Sequence, residues 1–155
     1  MPADPTDIRA FQRLDHRTTT SGRLRDGDLA GLAAIGVAHV VNLALDSHPE
    51  ALAEEANKLA ALGMAYTHIP VPFDDPRDDH YRAFTAALAA AGDAPVHVHC
   101  IMNYRVAAFF YRWHRENAGM DEPQARALMA RQWEPDRSER PEARPWAEFL
   151  ARTGI

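Results

Sequence analysis

Cysteine and lysine are nearly absent from this 155-residue sequence, which has one of each, Cys100 and Lys58. A single cysteine cannot form an internal disulfide, so we expect a cytoplasmic protein of a reducing compartment. No apolar run approaches the roughly 20 residues of a membrane span, and the opening MPADPTDIRA is too polar for a signal peptide. The net charge of −5 argues against binding to nucleic acid or to an anionic membrane.

The overall composition is that of one globular domain. Hydrophobic residues make up 46% of the chain and charged residues 25%, which are ordinary values. A chain of this length hides about 70% of its unfolded surface on folding. Since no repeat, low-complexity tract or linker divides it, we predict a single domain over residues 1–155, with a loose leader at 1–7. We expect a monomer or a weak homodimer.

Strand-like and helix-like segments alternate along most of the chain. The predicted strands are 11–15, 37–45, 65–71 and 95–99. The predicted helices are 26–35, 51–62, 80–91, 105–117, 121–133 and 144–152. We interpret TTTSG at 18–22 as a turn and 133–143 as an irregular connector. The alternation predicts an α/β fold, with a mostly parallel central sheet and helices on both faces.

The stretch VHVHCIMNYR at 96–105 carries the main functional signal. Cys100 ends a predicted strand and a helix follows, which is where ligands bind in open parallel sheets. Free N–H groups and the helix dipole stabilise an anion or a thiolate there. The planar fork of Arg105 can hold two oxygens of a tetrahedral oxyanion. Although a lone buried cysteine usually only fills space, this combination favours covalent group transfer from an oxyanion.

Four segments carry a resemblance to a known family. VHVHC…R before an apolar helix resembles the HC-x5-R phosphate-binding loop (P-loop) of cysteine-dependent protein tyrosine and dual-specificity phosphatases. The segments TTSGRLRDGDLAGLAAIGVAHVVNLAL and GMAYTHIPVPFDDP resemble the opening and the general-acid loop of small bacterial members. WEPDRSERPEARPWAEFL resembles a tail found in some of them. The resemblance covers about residues 11–150 and implies a dual-specificity-phosphatase-like architecture.

The resemblance implies a role for each matching residue. Cys100 would attack phosphorus and form a cysteinyl-phosphate, while Arg105 holds the equatorial oxygens. His99 would orient the loop and help to keep the thiolate charged. Asp74 or Asp75 would protonate the leaving group and then activate water. The acids at 78 and 79 more naturally lead the following helix.

The remaining loop residues, Ile101, Met102, Asn103 and Tyr104, would bind the substrate. That substrate would be a phosphorylated protein, carrying phosphotyrosine or phosphoserine, or a small phosphoester. Such chemistry requires neither a metal nor an organic cofactor.

Three features depart from the family pattern. Cys100 to Arg105 is C-x4-R, one residue shorter than the phosphatase loop. The loop lacks the usual glycine, and Asn103 is the residue in it that best tolerates a positive φ. Val106 stands where the family has a Ser or Thr whose hydroxyl helps the thiolate to leave. We therefore expect slow breakdown of the cysteinyl-phosphate.

Two other functions remain open from the sequence. A C-x4-R loop is also typical of rhodanese-like sulfurtransferases, in which the cysteine forms a persulfide. A phosphatase-like domain without activity would bind an oxyanion or a phosphorylated ligand and not turn it over. The order of the upstream segments favours the phosphatase first, the binding domain second and the sulfurtransferase third.

Several polar residues are interpreted as structural. His97 and His99 form an H-x-H pattern on one face of a strand, with Cys100 on the other, and we predict no metal site. Asn42 lies in an apolar strand, where its amide needs partners, so we expect it to tie loops together near the site. The arginines of the C-terminal part could contact an anionic substrate but are interpreted first as surface residues: Arg131, Arg137 and Arg140.

Overall fold

A computed structural model describes residues 3–152. Its five strands form one sheet in the order β1–β2–β5–β3–β4, with β1 antiparallel to β2 and the other pairs parallel. In the centre, Val98 lies opposite Thr20 on one side and Val41 on the other. The strands are β1 (Gln12–Arg13), β2 (Thr18–Ser21), β3 (His39–Asn42), β4 (Ala65–His68) and β5 (Val96–His99).

The helices cover both faces of the sheet. One hydrophobic cluster packs α1 and α2 against the face that carries Val40. A larger cluster packs α3, α4, α5 and α6 against the face that carries Val41 and Val98. The helices are α1 (Leu29–Ala34), α2 (Glu55–Ala61), α3 (Asp78–Ala91), α4 (Tyr104–Asn117), α5 (Glu122–Ala130) and α6 (Arg144–Ala151), with short 3-10 turns at Asp26–Asp28, Pro135–Arg137 and Pro141–Ala143. The predicted α/β fold with a mostly parallel sheet is confirmed.

The prediction of a turn at 18–22 was wrong, because Thr18–Ser21 is strand β2 between β1 and β5. The polar side chains that suggested a turn are buried and bonded inside the protein. Thr19 Oγ1 lies 2.8 Å from His97 Nδ1, and Thr20 Oγ1 donates to the Gln12 carbonyl at 3.4 Å. β-branched threonines suit a strand once their hydroxyls have partners.

The strand–loop–helix unit of β5 and α4 occupies the middle of the molecule. Most of α4 is buried, including the whole side chain of Arg112. The Arg112 guanidinium lies between two rings, 4.1 Å from the centroid of Tyr81 and 4.7 Å from that of Phe149. These contacts hold α4 against α3 and α6, which gives the loop at its start a rigid support.

The two ends of the described chain pack on this core. Within the predicted leader, Asp4 accepts two hydrogen bonds of 2.7 Å from Arg13 of β1. At the other end, Arg152 donates to the Pro76 carbonyl at 3.1 Å. Between residues 3 and 152, none of the helices combines the length and apolar character needed to cross a membrane.

Candidate active site

The loop that follows β5 turns through one residue of unusual backbone conformation. Asn103 has a φ of +69° and precedes the first residue of α4. Its side chain is buried, and Nδ2 donates to the Ala10 carbonyl at 2.9 Å and to Thr20 Oγ1 at 3.0 Å. Asparagine tolerates the left-handed region better than most residues other than glycine. Asn103 and its two hydrogen bonds therefore hold the loop in a conformation that usually requires glycine.

Residues of the N-terminal segment form hydrogen bonds to the same loop. The carbonyl of Ile101 accepts a hydrogen bond from the Arg23 backbone N–H at 2.9 Å. A longer contact of 3.4 Å comes from Nη1 of Arg9, whose guanidinium also pairs with Glu50 at 2.8 Å. The pKa of the Glu50 carboxyl is lowered to about 2 by its hydrogen bonds from Arg9 and Arg23. A charged cluster of Arg9, Arg23 and Glu50 therefore contacts and stabilises the loop.

Cys100 and Arg105 lie at one cleft of about 920 Å³. The cysteine is only 1% exposed and packs on the α4 side of the sheet. The first N–H groups of a helix have no partner within it, and Tyr104 and Arg105 at the start of α4 line this space. The other lining residues are Leu45, Ser47, His48, Phe73, Ile101, Met102, Tyr104, Trp133, Glu134, Arg137, Ser138, Arg140, Glu142 and Ala143.

The guanidinium of Arg105 joins the loop to the segment after β4. Its Nη1 donates to the Val71 carbonyl at 2.8 Å, and its Cζ lies 5.8 Å from the ring centroid of Phe73. The side chain is buried, with 7% exposure. Since a guanidinium has five N–H donors, this bond orients Arg105 and leaves donors for an anion in the cleft.

An aromatic wall closes one side of the cleft. The rings of Tyr104 and Trp133 are stacked, with centroids 4.7 Å apart and planes at 9°. Trp133 Nε1 donates to the Tyr104 carbonyl at 2.8 Å, and its ring lies 5.8 Å from that of Phe73. Trp146 Nε1 in turn donates to the Phe73 carbonyl at 2.6 Å. The C-terminal helix thus fixes the segment that precedes Asp74.

The structure places Asp74 and Asp75 outside the cleft lining, both on the protein surface, directly after Phe73. Asp78, by contrast, begins α3. Of the residues expected to bind substrate, Ile101, Met102 and Tyr104 line the cleft, whereas Asn103 faces the protein interior.

Sequence reasoning missed several cleft residues. His48 follows β3, and Glu134 and Glu142 lie in the connector, where a charged surface run hides any local signal. Arg137 and Arg140, interpreted as surface residues, also line the cleft. They are indeed largely exposed, at 66% and 82% of their side chains, so they form its rim.

His99 has a partner that the sequence did not reveal. Its Nε2 lies 2.6 Å from Oε2 of Glu55, and both side chains are buried. The other oxygen of Glu55 accepts a hydrogen bond from Asn42 Nδ2 at 3.3 Å, and the same amide nitrogen donates to Tyr66 Oη at 3.1 Å. The carboxylate of Glu55 therefore joins β5 to β3, and Asn42 extends the network to Tyr66 of β4.

His97 belongs to a separate set of contacts. Its ring nitrogens lie 2.8 Å from the hydroxyls of Thr19 and Ser21. Burial, together with the charge of His99, holds its pKa well below the usual value of 6.5. Within residues 3–152, no group of three or more His, Cys, Asp or Glu side chains is arranged to hold a metal ion.

The α/β fold thus places Cys100 at the end of a central strand, and a short loop joins it to Arg105 at the start of a buried helix. The chain matches the model of the beta-lactamase hydrolase-like protein, phosphatase-like domain, over residues 10–118. That match covers more than half of the sequence, and the chain belongs to this family. The predicted resemblance to cysteine-dependent phosphatases is thereby confirmed. The comparison with curated proteins gave no match.

Solved structures share this fold. A DUF442 protein of Shewanella putrefaciens CN-32, proposed to be a phosphatase, is 28% identical with a TM-score of 0.80, covering 96% of this chain and 93% of its own. TpbA of P. aeruginosa, in complex with pTyr, is 17% identical with a TM-score of 0.69, covering 96% and 93%. The core catalytic domain of the PP-IP phosphatase SIW14 of S. cerevisiae, in complex with citrate, is 14% identical with a TM-score of 0.70, covering 92% and 86%.

Proposed function

We propose that this protein is a cytoplasmic, cysteine-dependent phosphatase that hydrolyses phosphate monoesters. The observation that carries the proposal is the convergence of Cys100 and Arg105 on one cleft at the start of α4. A nucleophile, a helix N-terminus and a guanidinium then surround the position of a phosphoryl group. The thiolate attacks phosphorus, while the helix N-terminus and the guanidinium stabilise the negative charge of the phosphoryl oxygens in the transition state.

The reaction proceeds in two displacements. The Cys100 thiolate attacks phosphorus and forms an S–P bond as the bond to the leaving oxygen breaks. A proton from the general acid neutralises the departing alkoxide or phenoxide. Water then attacks the cysteinyl-phosphate with the same residue as base, and phosphate and the thiolate are released. Arg105 holds the equatorial oxygens through both steps.

We assign the general acid to Asp74 or Asp75. Both follow Phe73, which lines the cleft, so the catalytic form requires the exposed segment after Phe73 to move one carboxyl to the leaving group. Arg105 is bonded to Val71 of the same segment. The residue that binds the phosphate and the segment that carries the acid are therefore in direct contact.

The shape of the cleft favours an aryl phosphate such as phosphotyrosine. The stacked pair of Tyr104 and Trp133 offers a flat surface to a substrate ring. Arg137 and Arg140 at the rim suit further negative charge around the phosphoester. TpbA, which has the same fold, binds pTyr. Phosphoserine and small phosphoesters are the other candidate substrates, and their hydrolysis should be compared with that of phosphotyrosine.

The test is hydrolysis of an aryl phosphate such as p-nitrophenyl phosphate between pH 5 and 8, without added metal. Wild type, Cys100→Ser and Arg105→Lys are compared, with Arg131→Lys as a matched arginine outside the cleft lining. We expect no turnover by the serine variant, a loss of roughly 100-fold or more for Arg105→Lys and none for Arg131→Lys. Folded wild type that is no faster than Cys100→Ser would overturn the proposal.

One observation supports a second candidate, binding without turnover. No aspartate among residues 3–152 lines the cleft. If the segment after Phe73 does not move, the protein would hold a phosphorylated ligand and leave it intact. Calorimetric titration of Cys100→Ser with inorganic phosphate and phosphotyrosine separates this candidate from an inert protein. Incubation of wild type with thiosulfate, followed by mass spectrometry for a persulfide, tests sulfur transfer.

A further inference from the structure

Both ring nitrogens of His99 face oxygen atoms. Nε2 lies 2.6 Å from Glu55 Oε2, and Nδ1 lies 3.3 Å from the carbonyl of Cys100. A carbonyl can only accept, so Nδ1 must carry a proton. An ionised Glu55 also only accepts, and with that carboxylate as its partner Nε2 carries the second proton. The geometry is therefore that of an imidazolium between a carboxylate and the backbone of the nucleophile.

Glu55 is held in the form that this arrangement needs. Its Oε1 accepts a hydrogen bond from Asn42 Nδ2 at 3.3 Å, and Asn42 Oδ1 is fixed by the backbone N–H of Ala44 at 2.8 Å. The residue before it, Glu54, has a φ of +58° and occupies the N-cap position of α2. A non-glycine residue in the left-handed region carries strain that the surroundings must offset. That backbone aims the Glu55 side chain into the interior.

A buried carboxylate and a buried imidazolium require each other. Glu55 is 6% exposed and His99 is 3% exposed, so either charge alone would be costly to bury. Together they are neutral as a pair, but the positive member lies beside Cys100. The negative member lies beyond the ring, farther along the chain of hydrogen bonds. The imidazolium is therefore the nearer of the two charges to Cys100, which it contacts at the backbone carbonyl.

The other titratable groups near His99 and Glu55 do not change this arrangement of charges. The His97 ring lies 6.3 Å from that of His99, and burial keeps its pKa well below the usual value. On β4, burial raises the pKa of Tyr66 to about 12, so the phenol is neutral. Asp46 lies near Tyr66 in an exposed position. On the cleft side, Arg105 adds a second positive charge.

We propose that Glu55 is a positioning residue of the active site, which holds His99 as an imidazolium and thereby favours the Cys100 thiolate. The role of Glu55 in catalysis rests on the proposed phosphatase function. The electrostatic effect on the cysteine does not, and it can be measured without any substrate.

The test follows alkylation of Cys100 by iodoacetamide as a function of pH. Wild type is compared with Glu55→Gln and with the matched control Glu54→Gln, which makes the same change on the neighbouring exposed residue. Glutamine keeps the shape and can donate to Nε2, so His99 becomes a neutral ring. We expect the midpoint of alkylation to rise by about one pH unit or more in Glu55→Gln and to stay in place in Glu54→Gln. An unchanged midpoint in folded Glu55→Gln would overturn the proposal.

A second measurement needs no variant. Side-chain ¹⁵N spectra of wild type should show a proton on both nitrogens of His99 from pH 6 to 8, whereas His97 should show a single N–H. A His99 ring with one bare nitrogen in this range would contradict the proposal. If aryl phosphate is not hydrolysed but the alkylation midpoint still moves, the phosphatase function fails and the role of Glu55 stands.

Discussion

A Cβ atom on Gly22 would lie 2.5 Å from the carbonyl oxygen of Ile101. The same oxygen accepts the hydrogen bond of the next residue, Arg23, at 2.9 Å. The backbone after β2 and the backbone of the anion loop therefore meet without room for a side chain. The loop that carries Cys100 depends on a residue far from it in sequence.

Gly22→Ala should consequently displace the loop. The obstacle is a backbone oxygen, so we expect a loss of about 1–3 kcal/mol of unfolding free energy. Aryl phosphate hydrolysis should fall by about 100-fold, because a shift of 1 Å in a reacting group has that effect. Gly27→Ala is the control, since a Cβ there meets nothing within 4 Å. Urea denaturation and kcat/KM measure both effects, and equal activity of the two variants would contradict this account.

The identity of the general acid is open to a direct comparison of Asp74→Asn and Asp75→Asn. The variant that loses the acid should lose roughly 100- to 10,000-fold in kcat on a phenyl phosphate, whose leaving group needs a proton. On p-nitrophenyl phosphate the loss should be smaller. The other aspartate serves as the control, since both side chains lie at the surface. If neither variant responds to the leaving group, the acid must come from elsewhere, with Glu142 and Glu134 the carboxyls that line the cleft.

Val106 gives a prediction about the second displacement. It is fully buried behind the loop, at the position where related loops have a hydroxyl that stabilises the departing thiolate. Wild type should therefore accumulate cysteinyl-phosphate and release an initial burst of phenol. Val106→Thr should shrink the burst and raise kcat by about tenfold, since one hydrogen bond is worth about 1.4 kcal/mol.

The matched control for Val106→Thr is Val41→Thr. Val41 is equally buried but lies in the middle of β3, so both variants bear the cost of a buried hydroxyl, about 1–3 kcal/mol of stability. Rapid-mixing kinetics decide the outcome. A burst of the same size in Val106→Thr, or no burst in active wild type, would show that breakdown of the intermediate is not limiting.

Local patterns were sufficient for much of the fold. Strands β3, β4 and β5 lie in segments rich in apolar and β-branched residues and bounded by turn residues, and α4 is apolar nearly all round, so each has a signal in its own segment. β2 does not, because the hydroxyls of Thr19 and Ser21 find their partner in His97, more than seventy residues away, and Thr20 bonds to Gln12 and Asn103. A polar strand of this kind is indistinguishable from a turn until its partner is known.

The candidate site likewise combines features that a local segment predicts with contacts that depend on distant residues. The order of strand, cysteine and helix is local, so a single short segment is enough to predict an anion loop. The contact of His99 with Glu55 spans 44 residues, and Glu55 stands in an ordinary run of helical acids and alanines. Nothing in that run separates the buried glutamate from its exposed neighbour Glu54. Pairings across elements depend on the register of the whole sheet, which a single segment does not encode.

Buried neutral His97 should make the protein sensitive to acid. Burial lowers the pKa of His97 well below the unfolded value of 6.5. Below pH 6.5, the unfolded chain therefore binds a proton at His97, whereas the folded protein does not. The contribution of His97 to stability is therefore full above pH 6.5 and is lost as the pH falls toward the folded pKa. Each such proton costs up to about 1.4 kcal/mol per pH unit. Burial lowers the pKa of His39 and His114 in the same direction.

Urea denaturation of wild type and His97→Gln at pH 7.5, 6.5 and 5.5 measures this effect. Glutamine should cost about 1–3 kcal/mol at pH 7.5, because the hydroxyls of Thr19 and Ser21 lose a partner. Between pH 6.5 and 5.5, however, the variant should lose less stability than wild type by up to about 1.4 kcal/mol, since its side chain takes up no proton. His16→Gln, at an exposed position, should keep the wild-type slope. Parallel slopes for wild type and His97→Gln would mean that the folded protein accommodates a charged His97, in which case the hydroxyl pair on β2 would have to reorganise around it.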